Sequence, residues 1–550
     1  MPLKPSRLLL QDRGLHLQRR GADSGRHQQR RLKSFVECIT YNRNGRYAMS
    51  TTISRSASGV PGLDEVLHGG LIAGKLYMIN GEPGAGKTTL ALQYLLQGVR
   101  EGDTTLYVTL GETAGELRAS ADSHGWSLDG IEIVELVVDE RALLGESDLT
   151  MYYPSEVELH ETTKRILEAV ERVKPRRMVL DSLSELRLLA QTLLRYRRQV
   201  LALNQFLAGR NCTALFLDDR TTESIDTQVH SVAHGVIALD RTVPAYGPVL
   251  RQLRITKFRG SDFISGRQDC ILTRGGLEVF PRLTPNEHGA VFSRDVVPSG
   301  VPALDALLGG GTARGTATLL VGPSGSGKST IAAQYAVAAT RRGAHAAIFT
   351  FEEAKALLLD RLRALGLSVD EGAGPGKLMV RQIDPAEVLP SQFVNMVRRA
   401  VEAEGATVVV IDSLNGYINA MPEKRALMIQ LHELLSYLNN RGVATFLVAA
   451  QSGMLGEGLH NVVDASYLTD AVVLFRMYEH AGAMRKAISV VKKRSGPHED
   501  TIRELWFDAL GVHLGPPLKH LRGVMTGVPV EIEAVAKPGA ASNDERAGRS

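Results

Sequence analysis

The chain has 550 residues, 44% of them hydrophobic, and a formal net charge of +4. That length calls for two or more domains, and the apolar fraction is ordinary for a globular protein. No run of about 18 apolar residues occurs, which argues against a membrane-spanning helix and against a membrane partner. Cys38, Cys212 and Cys270 are scattered. They form neither a disulfide framework nor a metal-ligand cluster, which suits a reducing, cytoplasmic setting.

The charge is uneven. Residues 1–50 hold 11 Lys/Arg against 3 Asp/Glu, a net of +8, so the rest of the chain carries −4. An acidic body leaves no global electrostatic footprint for nucleic acid. Residues 1–50 include Arg19-Arg20 and Arg30-Arg31 and show no sustained periodicity. They are expected to form a basic disordered extension. Two other readings stand beside this one. The segment is a nucleic-acid or targeting arm, although it lacks the apolar core of a signal peptide, or it is not translated, since Met49 stands just before the first organised stretch.

The first domain is expected over residues 51–290. It opens with Ser58-Gly59-Val60-Pro61-Gly62-Leu63-Asp64 and a turn at Gly69-Gly70. The apolar run Leu76–Ile79 then reads as a strand, and Thr89–Leu96 reads as a helix. Between them lies Gly81-Glu82-Pro83-Gly84-Ala85-Gly86-Lys87-Thr88. This is G-x-x-x-x-G-K-[ST] in strand–loop–helix context, the phosphate-binding P-loop. Glycines let successive backbone N–H groups turn inward around phosphates, and the following helix adds the positive end of its dipole. Gly81, Gly84, Ala85, Gly86, Lys87, Thr88 and Thr89 are therefore candidate ATP-binding residues. Lys87 would reach the β- and γ-phosphates, and Thr88 would hold Mg²⁺.

A strand at Leu106–Leu110 follows, then helical stretches around Ala114–His124 and Val157–Arg172. The strand Met178–Leu180 ends in Asp181. A carboxylate at the C-terminal end of an apolar strand after a P-loop is the Walker B arrangement, which makes Asp181 a second Mg²⁺ candidate. The apolar strand Thr213–Leu217 comes next. More alternating strands at Gly235–Asp240 and Leu250–Phe258 suggest an antiparallel extension of the sheet.

The same order repeats over residues 291–530. The lead-in is Ser299-Gly300-Val301-Pro302-Ala303-Leu304-Asp305 and the second P-loop is Gly322-Pro323-Ser324-Gly325-Ser326-Gly327-Lys328-Ser329. Both sit 241 residues after their counterparts, which marks duplication on the domain scale. Gly322, Gly325, Ser326, Gly327, Lys328, Ser329 and Thr330 are the matching ATP candidates, and Ser329 and Asp412 the matching Mg²⁺ candidates. The strands here are Thr318–Val321, Ala346–Thr350, Val408–Ile411 and Ala444–Ala449, with alternating strands at Ala471–Met477 and Ala487–Val491. Near-continuous apolar strands alternating with helices predict two tandem α/β domains, each with a mostly parallel sheet flanked by helices. Residues 531–550, Ala/Gly/Ser-rich from Ala536, are expected to be a disordered tail.

Glu352 and Glu353 follow the strand beside the second P-loop strand. A carboxylate there can orient water or accept a hydroxyl proton for in-line attack on a γ-phosphate; a surface pair opening a helix is the plainer alternative. In the first copy Gly111 stands where Glu352 does, and Glu112 alone remains, so unequal chemistry is expected. Basic segments close each domain: Lys257-Phe258-Arg259 and Lys492-Lys493-Arg494-Ser495-Gly496-Pro497-His498. They are either solvated turns or cations delivered to a triphosphate across a subunit boundary.

Taken together, the doubled lead-ins, the two P-loops, Phe351-Glu352-Glu353, the Lys-x-Arg segments and Gly523-Val524-Met525-Thr526-Gly527-Val528-Pro529 resemble the double-domain KaiC-type proteins. These are the cyanobacterial circadian clock ATPases and their wider bacterial relatives, within the RecA-like superfamily. The resemblance covers roughly residues 55–530. It implies two RecA-like domains, a homo-oligomer of hexameric ring form with ATP between subunits, and Lys257, Arg259, Lys492, Arg494 and His498 as contacts to a neighbour's nucleotide. The first copy has Phe263 in place of His498. The clock proteins also phosphorylate themselves at a Ser-Thr pair before Thr-Asp. The matching stretch is Ala465-Ser466-Tyr467-Leu468-Thr469-Asp470, in which Ser466 fits the first acceptor and Tyr467 replaces the second. The resemblance therefore implies an ATPase and Ser/Thr autokinase acting as a signalling hub for partner proteins that the sequence does not identify. The other class, a RecA-like DNA-handling motor, is opposed by the acidic body and by the absence of a basic, aromatic-interleaved DNA loop.

Overall fold

The computed structural model describes residues 53–136, 154–220, 230–244, 247–284, 291–367, 376–419, 424–451 and 465–532. The expected extension lies wholly outside the described residues, and the expected tail does so from residue 533 onward.

In the first half the elements are β1 (Leu76–Gly81), α1 (Lys87–Glu101), β2 (Thr105–Thr109), α2 (Ala114–Ser123), β3 (Ile131–Glu135), α3 (Pro154–Val173), β4 (Arg177–Asp181), α4 (Leu183–Ala190), α5 (Leu193–Ala208), β5 (Thr213–Asp219), β6 (Gly235–Thr242), β7 (Leu250–Phe258), β8 (Arg267–Thr273) and β9 (Gly276–Phe280). These nine strands form one sheet in the order β9-β8-β7-β6-β1-β5-β4-β2-β3, and Arg55–Ser56 pairs with Leu71–Ile72 in a separate two-stranded ribbon. From β6 to β3 every pairing is parallel. From β6 outward to β9 every pairing is antiparallel.

The second half repeats this with β10 (Ala317–Gly322), α6 (Lys328–Arg341), β11 (His345–Thr350), α7 (Lys355–Ala364), β12 (Leu378–Gln382), α8 (Pro390–Glu402), β13 (Ala406–Asp412), α9 (Leu414–Asn419), α10 (Lys424–Asn440), β14 (Ala444–Ala450), β15 (Ala471–His480), β16 (Ala483–Lys493), β17 (Arg503–Asp508) and β18 (Gly511–Pro517). Its sheet order is β18-β17-β16-β15-β10-β14-β13-β11-β12, the same topology strand for strand. The fold is thus two tandem RecA-like domains with mostly parallel sheets and helices on both faces.

The central strands are mostly apolar because both their faces are covered, with Asn80, Asp181, Asp218 and Asp219 only at their C-terminal ends. In β1, Leu76 and Met78 join one core with Met178, Leu180, Ala214 and Phe216. Tyr77 and Ile79 join the opposite core with Tyr107, Val179, Leu215 and Leu217. A period of two therefore sends alternate side chains into two separate cores, and no polar position is left over Leu76–Ile79. The sheet in turn aims the C-terminal ends of β1, β2, β4 and β5 at one edge, where the P-loop begins.

The two domains touch through ion pairs and hydrogen bonds. Arg398 on α8 binds Glu65 at 2.5 Å, and Arg282 binds Glu433 at 2.6 Å. Ser391 donates to Asp269. Leu283 is buried in the second domain's core. No helix among the described residues is long and apolar enough to cross a membrane.

Candidate functional site

Each P-loop closes between a strand end and a helix start. The helix-capping glycines Gly86 and Gly327 have φ of 106° and 101°, a backbone region that residues with a Cβ seldom enter. At Gly327 a Cβ would also lie 2.4 Å from the Phe507 ring. Ala85 and Ser326 are buried under the loop, and Ser326 Oγ donates to Pro323 O at 2.8 Å. Lys87 and Lys328 open α1 and α6, so both ammonium groups lie under the loop rather than in solvent.

In the first site, Lys87 Nζ donates to Gly81 O at 2.9 Å and Glu82 O at 3.0 Å and lies 2.6 Å from Asp219 Oδ1. Thr88 Oγ1 donates to Asp181 Oδ2 at 3.3 Å, and the Tyr107 hydroxyl donates to the same oxygen at 2.6 Å. Burial raises the Asp181 carboxyl above its ordinary range, while the Tyr107 and Thr88 hydrogen bonds pull it back. The N–H of Leu110 bonds the carbonyl of Asp181 at 2.7 Å. That bond brings the turn after β2 against the Walker carboxylate. In this turn Thr109 Oγ1 donates to Glu112 O and accepts from Glu112 N. Glu112 lines the cleft with Gly84, Gly86, Lys87, Thr88, Thr89, Glu116 and Ser120. Burial first, then repulsion from Asp181, raises its pKa.

The second site keeps the frame and changes the charges. Phe351 N bonds Asp412 O at 2.7 Å, and Thr350 Oγ1 holds the same turn at Glu353. Lys328 Nζ donates to Pro323 O at 2.6 Å. Burial lowers the pKa of Lys328, and Asp412 and Glu352 oppose that shift. Burial raises the pKa of Asp412, and a hydrogen bond from Ser329 lowers it. The two adjacent glutamates separate into different environments. Arg361 on α7 grips Glu353 through Nε to Oε1 at 3.1 Å and Nη2 to Oε2 at 2.7 Å, and its Nη1 donates to Thr330 Oγ1 at 2.8 Å. Glu352 instead accepts from Ser413 Oγ at 2.5 Å. The structure thus places Lys328, Ser329, Thr330, Glu352, Glu353, Asp412 and Ser413 around one cleft.

The basic segments lie elsewhere. Lys257 Nζ donates to the carbonyls of His230, Ser231 and Ala233, and Arg259 to that of Ser231. Lys492 Nζ donates to the carbonyls of Ser466 and Thr469, and Arg494 to that of Tyr467. His498 lies 3.3 Å from Asp500. Within one chain Lys257, Arg259, Lys492 and Arg494 clamp the turn before β6 or β15, and none of the five cations lines its own domain's P-loop cleft. Ser466 opens a one-turn helix, Ser466–Leu468, and is half-buried, with Tyr467 exposed beside it.

Sequence reasoning passed over four of these residues. Asp219 ends β5 as Asp181 ends β4, so its signal, an apolar strand running into acid, was available. Ser413 directly follows the Walker carboxylate. Tyr107 and Arg361 carried no signal, because their contacts depend on which neighbour each side chain meets in the folded sheet.

Two P-loops on RecA-like sheets, each facing a Walker carboxylate and a glutamate turn, define a tandem P-loop ATPase. A family profile described as "ATPase: KaiC" matches residues 56–284 and again 297–518. The chain belongs to the KaiC family of ATPases. It is 26% identical over 486 residues to the circadian clock protein KaiC3 of Synechocystis sp., covering 87% of this chain and 95% of that protein. It is 25% identical over 513 residues to the circadian clock oscillator protein KaiC of Prochlorococcus marinus, covering 90% and 97%. With the KaiC of Picosynechococcus sp. it shares 25% over 495 residues, covering 86% and 92%.

Proposed function

We propose that this KaiC-family ATPase is a Mg·ATP-dependent homo-oligomer, of hexameric form, whose C-terminal site also phosphorylates Ser466 of a neighbouring copy, and that its nucleotide and phosphorylation state gate the docking of signalling proteins. The observation that carries this reading is the division of labour between Glu352 and Glu353. Arg361 neutralises Glu353, whereas Glu352 keeps a carboxylate that, among the described residues, a serine hydroxyl alone orients. A carboxylate so placed beside Lys328 suits a general base. The step needs the Ser466 hydroxyl to lose its proton to that carboxylate as its oxygen bonds the γ-phosphorus. The bond from that phosphorus to the β,γ-bridging oxygen breaks, and ADP leaves.

Mg²⁺ fits the residues present. Each site offers a hydroxyl and a carboxylate as hard oxygen donors, Thr88 with Asp181 and Ser329 with Asp412. Burial disfavours both carboxylate charges, a penalty that a divalent cation would offset. When bound, the ion would neutralise charge on the β- and γ-phosphate oxygens. Lys257, Arg259, Lys492, Arg494 and His498 are the candidates for a neighbour's nucleotide, since each sits outside its own cleft. The test is incubation of the full chain with γ-labelled Mg·ATP. Label released as phosphate and also retained on protein supports ATPase plus autokinase. Released phosphate with no labelled protein leaves an ATPase alone.

A further inference from the structure

Besides the exchange of Gly111 for Glu352, the two P-loop sites differ in a charge that their motifs do not contain. Lys87 Nζ has three acceptors: Gly81 O, Glu82 O and Asp219 Oδ1, the last at 2.6 Å. An ammonium group has three donors, so all are engaged. The lysine side chain is 8% exposed and the aspartate 34%. Asp219 is itself held, because Ser184 Oγ donates to its Oδ2 at 3.2 Å. Its position follows from sheet register: Asp219 pairs with Gly81, the first P-loop residue, across the parallel β1–β5 ladder. In the second domain the residue that pairs with Gly322 is Ala450. A methyl group cannot accept, and Lys328 donates to the Pro323 carbonyl.

A P-loop lysine binds the β- and γ-phosphates. To do so, Lys87 has to exchange a carboxylate for phosphate oxygens, and the carboxylate is then left facing a polyanion of like sign. Among the described residues no carboxylate forms an ion pair with Lys328, so that lysine has none to exchange, although Asp412 and Glu352 line its cleft. We propose that Asp219 is the affinity-setting residue of the N-terminal site: a built-in competitor that nucleotide must displace from Lys87, and that makes this site the weaker binder of the two. The inference rests on reading Lys87 as a phosphate-binding lysine. If the lysine is held by Asp219 nine times in ten, the apparent dissociation constant rises about tenfold.

The experiment is equilibrium binding of a fluorescent, non-hydrolysable ATP analogue to full-length Lys328→Ala protein, in which only the N-terminal site remains. Adding Asp219→Asn should tighten binding about tenfold, and Asp219→Glu should return it toward the weak value. The transplant Ala450→Asp, made in Lys87→Ala protein, should weaken the C-terminal site by a similar factor, and it keeps the test open should Asp219→Asn unfold. Unchanged or weaker binding by Asp219→Asn, or an Ala450→Asp site that binds as before, would overturn the proposal. Failure of both the Lys328→Ala and the Lys328→Ala/Asp219→Asn proteins to bind, while Lys87→Ala protein binds, would instead remove the nucleotide reading of Lys87 itself.

Discussion

Arg361 holds Glu353 in a two-point grip, 3.1 and 2.7 Å, while the adjacent Glu352 is left to a single serine hydroxyl. A carboxylate locked to a guanidinium is a poor proton acceptor, so the two glutamates should respond differently to neutral substitution. In Lys87→Ala protein, where only the C-terminal site turns over, Glu352→Gln should lower kcat about 10²–10⁴-fold. Glu353→Gln should cost less. Steady-state phosphate release measures both, and an equal loss in the two variants would refute the division of roles.

The N-terminal site offers the reciprocal experiment. Gly111 occupies the place of Glu352, and a Cβ built there meets nothing within 4 Å. Steric packing therefore does not demand glycine. Gly111→Glu in Lys328→Ala protein should raise kcat, and Glu112→Gln in the full chain should remove less of the total ATPase than Glu352→Gln. A larger loss from Glu112→Gln would mean that one glutamate is enough and that Glu112 carries most of the turnover.

Glu112 also makes a pH prediction. Its pKa is raised above 4.5 by burial, and then by Asp181, Glu116 and Asp219. A general base works ionised, so activity is full at high pH and falls as pH drops through the raised value. The kcat/KM profile of Lys328→Ala protein, which reports the free enzyme, should show this acid limb above the ordinary carboxylate range. An acid limb that persists unchanged in Glu112→Gln would assign the ionisation to another group.

The fold and the phosphate loops were legible because their signals are local. A P-loop needs eight consecutive residues, and a buried parallel strand announces itself by an unbroken apolar run. What escaped is relational. Lys87 and Asp219 are far apart in the chain and meet only because β1 and β5 are neighbours in register. A fixed offset between the copies hides the comparison too, since it falls from 241 at Glu112 and Glu353 to 231 at Asp181 and Asp412. At the shifted offset Asp219 faces Ala450, and the difference in charge is plain. Tyr107 against Asp181 has the same character: the register equivalent of Tyr107 is Ile348, and a phenol on a core strand reads as packing until its partner is known.

Assembly should depend on nucleotide. Lys257 and Lys492 spend their donors on their own backbone, and a neighbour's triphosphate would be a stronger, charged acceptor for the same segments. Mass measurement should show a shift to a hexamer-sized species on adding Mg·ATP, and Lys87→Ala should weaken assembly more than Lys328→Ala. A monomer under both conditions would remove the ring and, with it, the inter-subunit role of Lys257, Arg259, Lys492, Arg494 and His498.

The last prediction concerns the phosphoacceptor. Ser466 begins a single helical turn whose carbonyls are tied down by Lys492 and Arg494, at Ser466 O and Tyr467 O. If those cations turn to a neighbouring triphosphate, the turn loses its clamps at the moment the phosphate donor arrives. Tyr467 is exposed, yet its hydroxyl stands about 4 Å farther from the backbone than a serine's, too far for a site built around an aliphatic hydroxyl, where a displacement of about 1 Å already costs about 10²-fold. One phosphoserine and no phosphotyrosine should therefore form. Phosphopeptide mapping after incubation with Mg·ATP should place label on Ser466, lose it in Ser466→Ala, and keep it in Tyr467→Phe. Lys492→Ala should alter the rate of labelling without moving its position. Label absent from the Asn461–Arg476 peptide of the wild-type chain, or persisting there in Ser466→Ala, would end the kinase assignment at this residue and leave the protein an ATPase.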